Sequence, residues 1–145
     1  MIIVAHPALR TAMIAAGALA LSALRTSDAH EASSAGHETV TPVMQQALAN
    51  ASGKTLSAVV VTYAPGQASP AHRHAGSVFA YVLSGEIRSQ NSATGAARVY
   101  KAGESFFEPP GSEHLISENA SRTEPARLLA VFVADDGAVL TTPSK

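Results

Sequence analysis

The sequence predicts an all-β domain of antiparallel strands, closed as a sandwich or barrel, on two observations. From Thr55 onward the chain is a series of short runs rich in Val, Ile, Leu, Thr, Tyr and Phe. Turn-forming residues separate these runs at short intervals, the pattern of antiparallel all-β folds. Strands are expected over 56–63, 70–74, 77–84, 86–90, 98–101, 105–108, 114–117, 126–134 and 139–142. Pro65-Gly66, Gly76, Gly85, the stretch 91–95, Gly103, Pro109-Pro110-Gly111 and Asp135-Asp136-Gly137 fall between them, where Gly and Pro permit reversals that a strand interior does not. There is no internal repeat, and the loop 91–97 is the expected insertion-tolerant connection between two halves.

The residues ahead of these strands read differently. Arg10 supplies a positive charge before the apolar run 11–24, and Ser27 and Ala29 put small residues at the two positions a signal peptidase reads. Residues 1–29 are therefore expected to be a secretory signal cleaved after Ala29, and the protein to be periplasmic or secreted. The apolar run is roughly 14 residues, short of the about 20 that span a bilayer. The small, polar stretch 30–39 buries too little to order itself and is expected to be a flexible leader. Thr41 and Pro42 then look like an N-cap and a first helical residue, with Val43, Met44, Ala47 and Leu48 as one apolar stripe before Asn50 and Gly53. That predicts a short N-terminal helix of about two turns. Residues 30–54 are thus read as leader and helix, and 55–145 as the β-domain. The roughly 116 residues left after cleavage suit a single core.

The formal net charge is −1, with no cluster of Lys and Arg, so neither nucleic acid nor, once the signal is cleaved, a membrane is an expected partner. The absence of cysteine removes disulfides and every thiolate nucleophile or metal ligand.

His72 and His74 sit two apart in an extended segment, so strand alternation sends both to one face and Arg73 to the other. Two imidazoles on one face can share a metal at about 2.0–2.1 Å, although an isolated H-x-H is also what two solvent-facing or hydrogen-bonded histidines look like. The surroundings add to the pair. Gly66, His72 and His74 follow the spacing Gly-(x)5-His-x-His and lead into Tyr81-Val82-Leu83-Ser84-Gly85-Glu86; downstream, Gly103, Pro109, Gly111 and His114 follow Gly-(x)5-Pro-x-Gly-(x)2-His. In these two motifs, in this order, the chain resembles the cupin superfamily over residues 55–133.

The resemblance implies a jelly-roll barrel with a metal in its mouth, and His114 as third ligand beside His72 and His74. It implies one divalent transition metal, with Fe, Ni, Mn, Zn and Cu all acceptable to imidazole, a small-molecule substrate, and a homodimer. The tight reversal at Pro109-Pro110-Gly111 agrees with this placement, since it folds His114 back beside the strand that ends at Glu108.

At one position the likeness breaks. Metal-binding cupins carry a glutamate seven residues before the glycine of Tyr-Val-Leu-x-Gly, and this chain has Val78 there. Three readings stay open. Three neutral histidines alone hold the metal, leaving it a full positive charge that favours an anionic or chelating ligand. Alternatively, Glu108 supplies the carboxylate from the neighbouring strand, as fourth ligand or catalytic general base, unless it faces outward into water. In the third, the barrel has lost its metal. Glu118 has the strand parity of His114 but lies about 13 Å along the strand, and Glu113 faces the opposite way; both are expected to be surface charges. Asn119 is either the displaced counterpart of an asparagine that often closes the second motif or a turn residue. Phe79, Tyr81, Phe106 and Phe107 are expected core residues, those facing inward lining an apolar pocket.

The activity so implied is that of a metal-dependent, dioxygenase-like oxidoreductase acting on a small chelating organic molecule. A non-catalytic cupin that binds a small molecule or a metal is the alternative. A sugar isomerase or lyase is a second alternative, and needs an acid/base pair that the sequence does not display.

Overall fold

The computed structural model describes residues 38–145. The expected secretory signal and most of the expected leader lie outside the described residues. Every regular element among those described is a strand: β1 (Thr39–Ala47), β2 (Lys54–Tyr63), β3 (Ala68–Ser69), β4 (His72–His74), β5 (Ser77–Ser84), β6 (Glu86–Asn91), β7 (Arg98–Lys101), β8 (Ser105–Glu108), β9 (Glu113–Asn119), β10 (Ala126–Asp135) and β11 (Thr141–Pro143). One sheet runs β1-β2-β10-β5-β8; the other runs β11-β4-β9-β6-β7, with β3 also on β9. All pairings are antiparallel. This is the expected all-β jelly roll, in which the chain changes sheet repeatedly and brings residues distant in sequence to one cavity.

Period-two alternation explains the core. On β5, Val78, Ala80 and Val82 are buried while Phe79, Tyr81 and Leu83 are exposed, and on β10 Ala126, Leu128, Ala130, Phe132 and Ala134 face inward. Tyr63 and Ile87 complete the cluster. Fully burying a side chain such as Ile87 or Val82 contributes about 1.5–3 kcal/mol, which fixes the register of these strands because a slip of one residue would turn the buried set outward. Of the four aromatics expected in the core, only Phe106 packs against it; Phe79, Tyr81 and Phe107 are on the outer face.

The expected short helix is a strand instead. Residues Thr39–Ala47 form β1, an edge strand paired with β2 along its length. The register shifts between Pro42 and Met44, so that Val43 is an extra residue in a bulge. Proline without an N–H is tolerated at such an edge or bulge. Val43 and Met44 are adjacent in the sequence and, with Ala47 and Leu48, have a spacing that imitates a helical stripe. Pairing with β2 outweighs that weak local preference.

A second bulge lies in β9. Asn91 on β6 pairs with His114 and Gln90 with Ile116, which leaves Leu115 unmatched. His114 and Ser117, three apart, therefore both face inward and are buried. Glu118 loses the parity expected for it and faces out to Arg88 at 2.7 Å. Glu113 faces out as expected, paired with Arg73 at 3.1 Å. Asn119 is a buried tie between loops: its amide donates to the carbonyls of Ala64 (3.1 Å) and Glu124 (2.7 Å), and its oxygen accepts from Ser121 N–H.

Candidate metal centre

His72 and His74 project from β4, and His72 is the cross-strand partner of His114 on β9. Direct partners share a face, so the three imidazoles converge. Their ring centroids are 4.7 Å (His72–His74), 5.0 Å (His72–His114) and 6.3 Å (His74–His114) apart. One nitrogen from each lies within 4.8 Å of the others. That spread is wider than the about 3.0–3.4 Å edge expected between ligands that share a metal at about 2.1 Å.

Hydrogen bonds fix which nitrogen of the first two rings faces inward. Nδ1 of His72 is 2.7 Å from the Pro70 carbonyl, and Nδ1 of His74 is 3.1 Å from the Leu140 carbonyl and from Thr141 Oγ1. A carbonyl only accepts, so both Nδ1 atoms carry a proton, and in the neutral form of each ring Nε2 presents the lone pair. Burial pushes the His74 pKa down, and the charges of His72 and His114 act in the same direction, against the opposing pull of Glu108 and the Leu140 carbonyl. A neutral imidazole is the form a metal binds.

His114 differs. Its Nδ1 is 3.1 Å from Glu108 Oε1 and its Nε2 is 2.8 Å from Ser89 Oγ. With Glu108 ionised and the His114 ring in its neutral form, Nδ1–H donates to the carboxylate and the Ser89 hydroxyl donates to Nε2. The connectivity Ser89–His114–Glu108 matches that of a hydrolytic triad, but Ser89 is not on the cavity wall, so its hydroxyl orients the ring and does not meet a substrate.

Glu108 faces the cavity and not water. It is 2 % exposed and turned into the cavity, its second oxygen accepting from the Asn91 amide at 3.1 Å. Burial alone would push its pKa up; the hydrogen bond and charge of His114, the charge of His74 and the Asn91 amide outweigh this and leave it below the ordinary carboxylate value. Its cross-strand partner is Val78, which is equally buried. The carboxylate missing at position 78 thus has a counterpart one strand away on the same face. The intervening turn is held by Gly111, whose φ of +71° suits glycine and whose N–H donates to the His74 carbonyl at 3.0 Å.

The four side chains line a cavity of about 170 Å³ walled by Val59, Val61, Ala80, Leu128, Phe106 and Phe132. Phe132 stands edge-on to His74 at 5.1 Å and Phe106 to His114 at 6.1 Å. Sequence reasoning missed Glu38, Tyr63, Ser69, Ser117 and Thr141, which also line the cavity; no local motif marks them, because strand pairing alone brings them in.

A double-layered antiparallel barrel with three convergent histidines in its cavity defines the class. The cupin domain model matches residues 59–132, and the chain belongs to the cupin family. Among curated proteins none matches this sequence. Among solved structures it is similar to a double-stranded β-helix protein from Klebsiella pneumoniae, with TM-score 0.59 and 26% identity over 76% of this chain and 87% of that one. It is also similar to oxalate oxidase in complex with the substrate analogue glycolate (TM-score 0.57, 26% identity, 73% of this chain and 55% of that one). A third likeness is to the DMSP lyase DddQ from Ruegeria pomeroyi (TM-score 0.59, 20% identity, 74% of this chain and 52% of that one). The chain thus spans about half the length of the last two, and the lyase likeness concerns the fold alone.

Proposed function

We propose that this chain is an exported cupin that holds one divalent transition metal through His72, His74, His114 and Glu108, and acts as a dioxygenase-like oxidoreductase on a small chelating organic molecule. The observation that carries the reading is the inward Glu108, in register with Val78 and 3.1 Å from His114 Nδ1. That separation is a hydrogen bond while a proton lies between the two atoms, and it is also close to the about 3.0 Å edge between two adjacent ligands of one ion. If the Nδ1 proton leaves and Nε2–H donates to Ser89 Oγ, the lone pairs of Nδ1 and Glu108 both face the cavity. A hydroxyl accommodates that exchange by rotating.

The bound ion would supply Lewis acidity and electron transfer toward a chelated oxygen donor. The chain's own residues do the rest. Burial keeps His74 neutral, the carbonyls of Pro70 and Leu140 orient the Nε2 atoms of His72 and His74, and the apolar walls exclude water and limit the substrate to a few heavy atoms. Glu108 would hold the ion beside the three histidines and lower the net charge of the centre. The likeness to an oxalate oxidase that binds glycolate supports a small oxygen-chelating substrate and oxidative chemistry.

A second copy of the chain is the proposed partner. The row Met44, Ala58, Val131, Phe79, Phe107 crosses all five strands of the first sheet in register. It contains no charge, and Met44, Phe79 and Phe107 are 53%, 45% and 51% exposed. Such a face suits an isologous contact.

Elemental analysis of protein purified without added metal tests the centre. One equivalent of a transition metal is expected, lost in H72A and H114A. A metal-free protein that gains no thermal stability from Mn(II), Fe(II), Ni(II) or Zn(II) overturns the reading. Oxygen uptake with small hydroxy acids and diketones then separates an oxidoreductase from a binder.

A further inference from the structure

The cavity holds a polar group that the metal reading does not use. Glu38 immediately precedes β1, and the pairing of Thr39 with Thr62 brings it level with Tyr63 at the end of β2. Glu38 lines the cavity, and its Oε2 is buried with no hydrogen-bond partner among the described residues. A carboxylate oxygen removed from water without a donor is unfavourable, and such exceptions mark either a strained site or a missing ligand.

The surroundings indicate what that ligand carries. The Tyr63 hydroxyl lies 2.7 Å from Ser69 Oγ and 2.8 Å from Ser117 Oγ. Three hydroxyls joined by two hydrogen bonds leave one proton and several lone pairs uncommitted. Ser117 reaches this group because the β9 bulge turns it inward. Burial pushes the Tyr63 pKa up, and the charges of Glu38 and Glu108 push it the same way while the two serine hydrogen bonds oppose, so Tyr63 is a neutral hydroxyl in the same cavity as the Glu38 carboxyl group. Among the described residues no Lys or Arg lines the cavity, so none of them supplies Glu38 with a fixed cation.

We propose that Glu38, with the hydroxyls of Tyr63, Ser69 and Ser117, forms a subsite for a cationic hydrogen-bond donor, so that the cavity takes a small molecule with a chelating carboxylate at one end and an ammonium group at the other. The chelating end rests on the metal reading above; the ammonium end does not. An ammonium supplies the missing donor to Glu38 as a charge-assisted hydrogen bond and donates its remaining protons to the hydroxyl oxygens.

Two probes of equal heavy-atom count isolate the ammonium: 4-aminobutanoate and pentanoate, which differ only by NH3+ in place of CH3. Calorimetric titration of the full chain at neutral pH is expected to give about tenfold or tighter binding for 4-aminobutanoate. E38Q is expected to abolish that preference, and E38D, which keeps the charge on a shorter arm, to retain part of it. Thermal melting of both variants reports whether they fold. Equal affinity for the two probes, no binding of 4-aminobutanoate, or an undiminished preference in folded E38Q overturns the proposal. Metal content measured on the same samples, together with a titration after chelation, separates the two readings: loss of the metal centre lowers the affinity for both probes, whereas loss of the Glu38 subsite removes only the difference between them.

Discussion

Moving the carboxylate back across the β5–β8 pair probes the centre through three variants. Val78 and Glu108 are register partners, both 2 % exposed, and direct partners have Cβ atoms about 5 Å apart. E108V removes the carboxylate and leaves His114 Nδ1 without a partner, a loss of about 1–3 kcal/mol of metal-free stability. Its metal affinity is expected to fall at least about 100-fold, equivalent to about 2.7 kcal/mol. V78E places two carboxylates about 5 Å apart; at an effective dielectric of about 20 their repulsion is about 3.3 kcal/mol. In a domain of this size that corresponds to about 10–15 °C in Tm, recovered when a divalent cation is added. The double variant V78E/E108V again has one carboxylate in the cavity and is expected to bind metal within about tenfold of the parent. The assays are thermal melting across a metal titration and elemental analysis. E108V with parental affinity would refute Glu108 as a ligand. A double variant no tighter than E108V would refute the equivalence of the two positions.

Two further outcomes follow from the packing. A Cβ at Gly76 would lie 2.1 Å from the Val133 carbonyl oxygen and 2.7 Å from Ala134 Cβ, and these belong to β10, so the strand itself must move. G76A is expected to lose about 3 kcal/mol or more and, since β10 carries the Phe132 ring against His74, to bind metal more weakly; a melting temperature within about 2 °C of the parent would refute this. F79E puts a charge in the middle of the apolar row on the outer face. Sedimentation is expected to give a dimer for the parent and a monomer for F79E, and a parent that is monomeric at tens of micromolar contradicts the proposed interface.

The sequence by itself determined most strand positions from β2 onward, the cupin motifs and the three histidines that come together. These depend on short-range information: period-two alternation marked β5 and β10, glycine and proline marked the turns, and the spacings around His72, His74 and His114 belong to local segments. Only the tertiary structure decided the rest. Thr39–Ala47 looks helical by itself and is a strand because β2 offers it a ladder. Counting along β9 gives Glu118 the face of His114; the bulge at Leu115, created by pairing with β6, gives that face to Ser117. Whether Glu108 met water or the cavity depended on β5 lying beside β8, and Glu38 reached the wall only through the pairing of β1 with β2. In each case the deciding contact joins residues far apart along the chain, and hydrogen-bonded registry between strands, which local pattern does not encode, determines which side chains share the cavity.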